Sequence, residues 1–248
     1  MRKYIFLVMI IAAVFAAVSC TTKGDAGIAG ADGSNVASAL FQNGVAPSSG
    51  YGGCEDATIE SDFPSLNMGG CSYLLTGKVS VAIYKSLIKF DISYISPKDV
   101  DVKTAKLTLY FDNTDDIDGS NTYTAYAVTK NWTEGTGACG GAGDADVNAS
   151  WNYYDGSVNS WDTAGGDYGA AAMSDSVFIS SVSDGSSIVF NLNADMVESW
   201  IEEPHNNYGI IIVGAALSGT HWLRPCSSDY ASGNYYRPRL EIDYALPQ

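Results

Sequence analysis

From residue 56 to the C-terminus, apolar side chains recur at alternate positions in short runs that glycine, asparagine, aspartate, serine and proline interrupt. A period of two is the mark of strands buried on one face. It is clearest in Ala105, Leu107, Leu109 and Phe111 against Lys106, Thr108 and Tyr110, and in Ser86, Ile88, Phe90 and Ile92 against Lys85, Leu87, Lys89 and Asp91. Further strands are expected at "ATIES", "SYLLTG", "NTYTAYAV", "SVFISSV", "SSIVFNL", "YGIIIVGAA", "THWLRP" and "PRLEIDYA". One segment departs from this period. In "ADMVESWIEE", Met196, Val197, Trp200 and Ile201 share a helical face, Asn193 stands at the N-cap and Pro204 ends the run. About ten strands and one short helix predict an all-β chain: a single antiparallel jelly-roll-like β-sandwich over residues 53–248.

The N-terminus follows different rules. Arg2 and Lys3 precede the apolar run "YIFLVMIIAAVFAA", which is shorter than a bilayer span and ends in the small residues "AVSC". Residues 1–19 therefore read as a signal peptide. Ala17, Val18 and Ser19 satisfy the small-x-small rule of ordinary secretion, and with Cys20 they also resemble a bacterial lipobox, in which leucine is the commoner residue at the Ala17 position. Lipidation of Cys20 is preferred, because it leaves an even four cysteines at 54, 71, 139 and 226. The expected location is a bacterial cell envelope, lipid-anchored and exposed outside the cytoplasm, at the outer membrane if the cell is Gram-negative. Residues 20–52 read as a tether; Gly24, Gly27, Gly30 and Gly33 keep a collagen-like period, but too briefly to hold a triple helix. Cys54 and Cys71 sit in matching "GGC" contexts, so Cys54–Cys71 with Cys139–Cys226 is the preferred disulfide pairing of the three connectivities.

Charge narrows the partners. The 13 basic residues fall to 11 once Arg2 and Lys3 are removed, against 28 acidic ones, a net charge of −17. Nucleic acid is excluded as a partner on that balance. A polyanionic glycan would need a local basic patch, for which Arg224, Arg237 and Arg239 are the candidates.

Several blocks in order resemble a known family: "LIKFDIS", "AKLTLY", "AVTKNWTEG", the Trp151–Tyr168 block with "GGDY", "VESW", "YGIIIVG" and "RPRLEIDY". Together they are similar to DNRLRE-type domains, grouped with a carbohydrate-binding module family that includes alginate-binding modules. That resemblance implies a sandwich found on surface or secreted polysaccharide-active proteins. Trp132, Trp151, Trp161 and Trp200 fall inside the shared blocks and are expected to pack. Trp222 and the tyrosines at 153, 154, 230, 235 and 236 fall outside them. Stacking on pyranose rings needs flat exposed aromatic faces, with guanidinium or amide groups to read hydroxyls. The candidate ligand-binding residues are therefore Trp222, Arg224, Tyr230, Tyr235, Tyr236 and Arg237, with Tyr153 and Tyr154 in a second loop and the Trp151–Tyr168 block as a secondary candidate region.

Asp112, Asp115, Asp116 and Asp118 in "DNTDDIDGSN" offer oxygens for a structural calcium ion, as do Asp144, Asp146 and Asp167, although no glutamate stands at the twelfth position of an EF-hand loop. Catalytic motifs are absent, and only His205 and His221 supply imidazole. The leading expectation is a lipid-anchored, non-catalytic module that binds polysaccharide. The alternatives are a structural or adhesive surface lipoprotein and, third, a polysaccharide lyase using His221 near Arg224 and Tyr235.

Overall fold

The computed structural model describes residues 35–96, 99–139, 148–215 and 218–247. The signal peptide, Cys20, the collagen-like glycines, Asp144 and Asp146 lie outside the described residues. Fifteen strands run through the described chain: β1 (Val36–Phe41), β2 (Cys54–Glu60), β3 (Thr76–Val79), β4 (Ala82–Phe90), β5 (Asp101–Tyr110), β6 (Ile117–Asp118), β7 (Asn121–Val128), β8 (Tyr153–Asp155), β9 (Asn159–Ser160), β10 (Tyr168–Ala172), β11 (Val177–Ile179), β12 (Ser187–Leu192), β13 (Ile210–Gly214), β14 (His221–Leu223) and β15 (Arg239–Ala245). One α-helix, α1 (Ala194–Glu202), follows β12.

Two antiparallel sheets form a sandwich. The first has the order β1-β15-β5-β12. The second is organised on β4: β2 runs along one side, while β13 and β3 divide the other. β7 lies beyond β13 and carries β10 and β11, and β14 and β6 continue from β3. Leu107, Leu109, Phe190, Leu240 and Ile242 of the first sheet meet Ile88, Phe90, Tyr123, Ile210 and Ile212 of the second. Each such side chain contributes about 1.5–3 kcal/mol on burial. Helix α1 packs against β5 and buries Val197, Trp200 and Ile201, and Asn193 Oδ1 accepts the Met196 N–H at 2.9 Å, the expected N-cap. Within β5, Val102 and Ala105 both face inward although they are three residues apart. The register with β15 slips between Asp243 and Tyr244, so β5 holds one extra residue there and its side chains change face.

Three expectations need correction. Residues 36–41 are not tether: β1 pairs with β15 along its whole length and buries Ala37 and Phe41, so the sandwich reaches back to Val36. The cysteines pair as Cys71–Cys139, while Cys54 and Cys226 are free and buried. Cys54 lies on β2 opposite Phe90 of β4, which holds it within the core, away from Cys71. Finally, β4 is not solvated on its Lys85-Leu87-Lys89 face. Leu87 is fully buried there with Ala57, Ile59, Val128 and Ile211, under Trp132 and Trp161. The second sheet therefore has a core on each side, and its outer core is roofed by the long connection between β7 and β10.

Candidate functional site

The roof is fastened from inside. Trp132 and Trp161 are 1% and 5% exposed, and their Nε1–H groups donate to Tyr208 O at 2.8 Å and Ser150 O at 2.9 Å. Asn67 is fully buried at its edge: Nδ2 donates to Glu134 O and Ala149 O, and Oδ1 accepts from Gly69 and Gly137. The Cys71–Cys139 disulfide closes the same junction covalently. In "GGDY", Gly165 and Gly166 have φ of +90° and +95°, and a Cβ on Gly165 would sit 2.8 Å from the Trp151 ring, so glycine is required there. Asp167 Oδ1 and Oδ2 accept the Thr163 and Asp162 N–H groups and hold that turn, with Lys130 at 3.3 Å. These contacts and Lys130 keep the Asp167 carboxyl below the usual carboxylate range despite desolvation.

Trp151 plays a different part. It is half-buried, and with Tyr168, Ile83, Val213 and Gly77 it lines a cavity of about 220 Å³ whose charged group is Lys85. Lys85 Nζ lies 5.1 Å from the Trp151 ring centroid and 5.0 Å from that of Tyr168, and donates to Gly165 O at 2.6 Å. Burial lowers its ammonium to about 8, because water that would solvate the charge is replaced by ring faces and one carbonyl. Two of its N–H donors are uncommitted among the described residues. Trp222 is half-buried opposite Gly77 in the β14–β3 pair and is not part of the lining of this cavity.

The loop expected to bind, 222–237, is largely occupied with itself. Arg224 Nε and Nη2 donate to Asp116 Oδ1 at 2.9 and 2.8 Å, and its guanidinium stacks 4.7 Å from the Tyr73 ring centroid. Tyr230 is buried and donates to Asp112 Oδ2 at 2.6 Å, where the Tyr73 hydroxyl also donates. Arg237 donates to the carbonyls of Tyr230 and Asn43. Tyr235 alone of this group is exposed, 63%, and its ring centroid lies 4.5 Å from that of half-buried Tyr236. In the other loop, Tyr154 packs against Trp161 beneath Lys130, and Tyr153 is half-buried in β8. The structure thus holds Arg224, Tyr230 and Arg237 in internal contacts, leaves Tyr235 exposed, and places Trp222 outside the lining of the Trp151–Lys85 cavity.

The calcium expectation is also redirected. Among the described residues no group of three or more His, Cys, Asp or Glu side chains could hold a metal ion. Asp116 is completely buried on Arg224, Asp112 is taken by two tyrosines, and Asp115 and Asp118 are exposed. The Asp116 and Asp112 carboxylates serve an ion pair and a hydrogen-bond network that tie the β5–β6 turn to the 222–230 segment.

On the far side of the roof, Lys89 Nζ pairs with Glu55 at 2.7 Å and lies 4.9 Å from the Trp132 ring centroid. Behind it, Asp56, Glu134 and Ser228 form a buried acidic junction in which Glu134 Oε1 accepts the Asp56 N–H and Asp56 Oδ2 accepts the Ser228 N–H. Burial, with Asp229 and Glu55 nearby, pushes Glu134 up to about 7. Lys85 and Lys89 escaped the reading of the sequence because a lysine on a strand's polar face is ordinarily solvated. Leu87 between them, an aliphatic residue in that polar row, was the available signal that something covers the face.

No curated protein matches the chain. Residues 49–138, which carry Lys85, Lys89, Trp132 and Glu134, match carbohydrate-binding module family 96, so this part of the sandwich is similar to a carbohydrate-binding module.

Proposed function

We propose that this protein is a non-catalytic polysaccharide-binding module of DNRLRE type, lipid-anchored through Cys20 to a bacterial cell surface after removal of residues 1–19, with residues 20–35 as its tether. The observation that carries the binding role is the Lys85 cavity, where an ammonium with free donors sits between two half-exposed aromatic rings. Such a cavity offers ring faces for the C–H surface of a pyranose and a cationic donor for its oxygens. Lys85, with Gly77, Ile83 and Tyr84 of the lining, lies within the segment similar to a carbohydrate-binding module, which supports the same reading, while Trp151 and Tyr168 come from beyond it.

The test is affinity electrophoresis through gels containing neutral or acidic polysaccharides, preceded by a glycan array. Trp151→Ala and Lys85→Gln should each reduce retention by roughly tenfold, while Arg224 and Arg237 variants that remain folded should not. A blank array, or retention indifferent to both cavity variants, overturns the reading. A structural or adhesive role is the second reading, favoured by the internal engagement of Arg224, Arg237 and Tyr230; a blank array with a stable fold would select it.

A further inference from the structure

The roof over the second sheet separates two openings. Lys85 and Lys89 lie on the same face of β4, four residues or roughly 13 Å apart. Leu87 between them is sealed under Trp132 and Trp161, so the Lys85 cavity does not continue into the Lys89 side. On the Lys89 side the surface falls into a cleft of two lobes, about 600 and 540 Å³, that share Glu55, Lys89 and Asn131. Each lobe is within the size range of small-molecule sites.

The two openings differ chemically. Lys85 has no carboxylate partner among the described residues, whereas Lys89 is neutralised by Glu55, with Asp91 and Glu134 also lining the cleft. An anionic ligand would meet Glu55, Asp91 and Glu134, the last raised to about 7, against a paired lysine and His205. A neutral polyol would meet both donors and acceptors. Several of these are already held in place: Lys89 by Glu55 and the Trp132 carbonyl, Asn207 by donating to Phe90 O and accepting from Gly209 N. The Asn131 amide makes no side-chain hydrogen bond among the described residues and projects from the shared wall. An aromatic platform adjoins the cleft. Tyr94 follows Ser93 of the cleft wall, is 60% exposed, and stands edge-on to Tyr51, whose hydroxyl donates to Asp91 O. An exposed ring braced on a second ring beside fixed polar groups is what stacking on a sugar requires.

We infer that the Glu55–Lys89–Asn131 cleft is a second, independent saccharide site that takes a neutral, hydroxyl-rich chain, with Tyr94 as its stacking ring. This inference rests on the polysaccharide-binding reading and adds a separate site to it. Two sites on opposite sides of one roof would let a single domain hold two segments of glycan and gain avidity.

The experiment titrates cellohexaose, laminarihexaose and mannohexaose into the wild-type protein and its Phe178→Ala, Tyr94→Ala and Asn131→Ala variants by calorimetry, with thermal melts as a folding check; Phe178 is an exposed ring on β11 that lines neither opening. At least one hexasaccharide should bind the wild type, keep its affinity in Phe178→Ala, and lose roughly five- to tenfold in Tyr94→Ala and in Asn131→Ala. Two results overturn the inference: no hexasaccharide binding to the wild type, or equal affinity in all four proteins. Retention on polysaccharide gels that depends on Lys85, without any hexasaccharide binding at the cleft, refutes the second site alone. Failure of both assays refutes the polysaccharide reading itself.

Discussion

Replacing Asn67 with alanine tests whether the roof is held by one side chain. All four of its hydrogen-bonding positions are used: Nδ2 donates to Glu134 O at 2.6 Å and Ala149 O at 2.9 Å, and Oδ1 accepts from Gly69 N at 3.2 Å and Gly137 N at 2.8 Å. Alanine would leave two carbonyls and two N–H groups without partners in a place where Asn67 itself has no exposure. At about 1 kcal/mol net per bond the loss is about 4 kcal/mol, with water entering the vacated space keeping it from rising further. In a domain of about 200 residues each kcal/mol lowers Tm by about 2–4 °C, so calorimetry should show a fall of about 8–16 °C with the disulfide intact. Asn67→Asp preserves the shape but sets a carboxylate oxygen against the Glu134 and Ala149 carbonyls. It should cost at least as much at neutral pH and recover part of the loss once the new carboxyl is protonated. A fall below about 2 °C for the alanine variant would show that the roof is held by other contacts, and the reasoning would fail.

Other outcomes follow from the same network. Arg224→Ala strands the buried Asp116 carboxylate and should cost about 3–5 kcal/mol by chemical denaturation; full stability combined with lost glycan retention would instead make Arg224 a ligand group. Burial raises Glu134 from 4.5 to about 7, so the folded protein keeps a proton that the unfolded chain releases in that interval. Its contribution to stability is fully present below about pH 4.5 and is lost as pH rises through about 7, by about 1–2 kcal/mol once partial solvent screening is allowed for. Glu134→Gln should flatten the Tm profile between about pH 5 and about pH 8, and an unchanged slope would refute the assignment. Non-reducing peptide mapping should recover Cys71 joined to Cys139, with Cys54 and Cys226 alkylated only after unfolding; the 68-residue separation makes the bridge worth about 4 kcal/mol against a reduced chain.

The inward rows of β5, β7, β13 and β15, and the helix with its Asn193 cap, were legible because each is a local periodicity that one face of a buried sheet or helix imposes. β1 was not. In "VASALF" the strong strand formers Val36 and Phe41 are separated by Ala37, Ser38, Ala39 and Leu40, too short a signal beside a glycine-rich run, and pairing with β15 along its length makes it extended. The disulfide pairing was not legible either, since matching "GGC" contexts say nothing of distance, whereas Gly70 N–H donating to Gly137 O brings Cys71 beside Cys139. The candidate site divided in the same way. Arg224 and Tyr230 have the residue types of a sugar site but spend them on Asp116 and Asp112, more than a hundred residues earlier in the chain, and Lys85 meets Trp151 and Tyr168 only through the fold.

By itself, the sequence determined the class of fold, the inter-sheet core and the internal role of Trp200, because alternation and helical spacing act over a few residues; the packing of Trp132 and Trp161 was implied by the family resemblance of their blocks. Tertiary structure alone decided which polar groups remain free to meet a ligand. Lys85 and Lys89 share the same strand, the same face and the same residue type, yet one lies between Trp151 and Tyr168 without a carboxylate and the other is neutralised by Glu55. That difference arises from a roof folded back across the second sheet from a distant part of the chain, and the desolvation and pairing it imposes have no counterpart in local pattern.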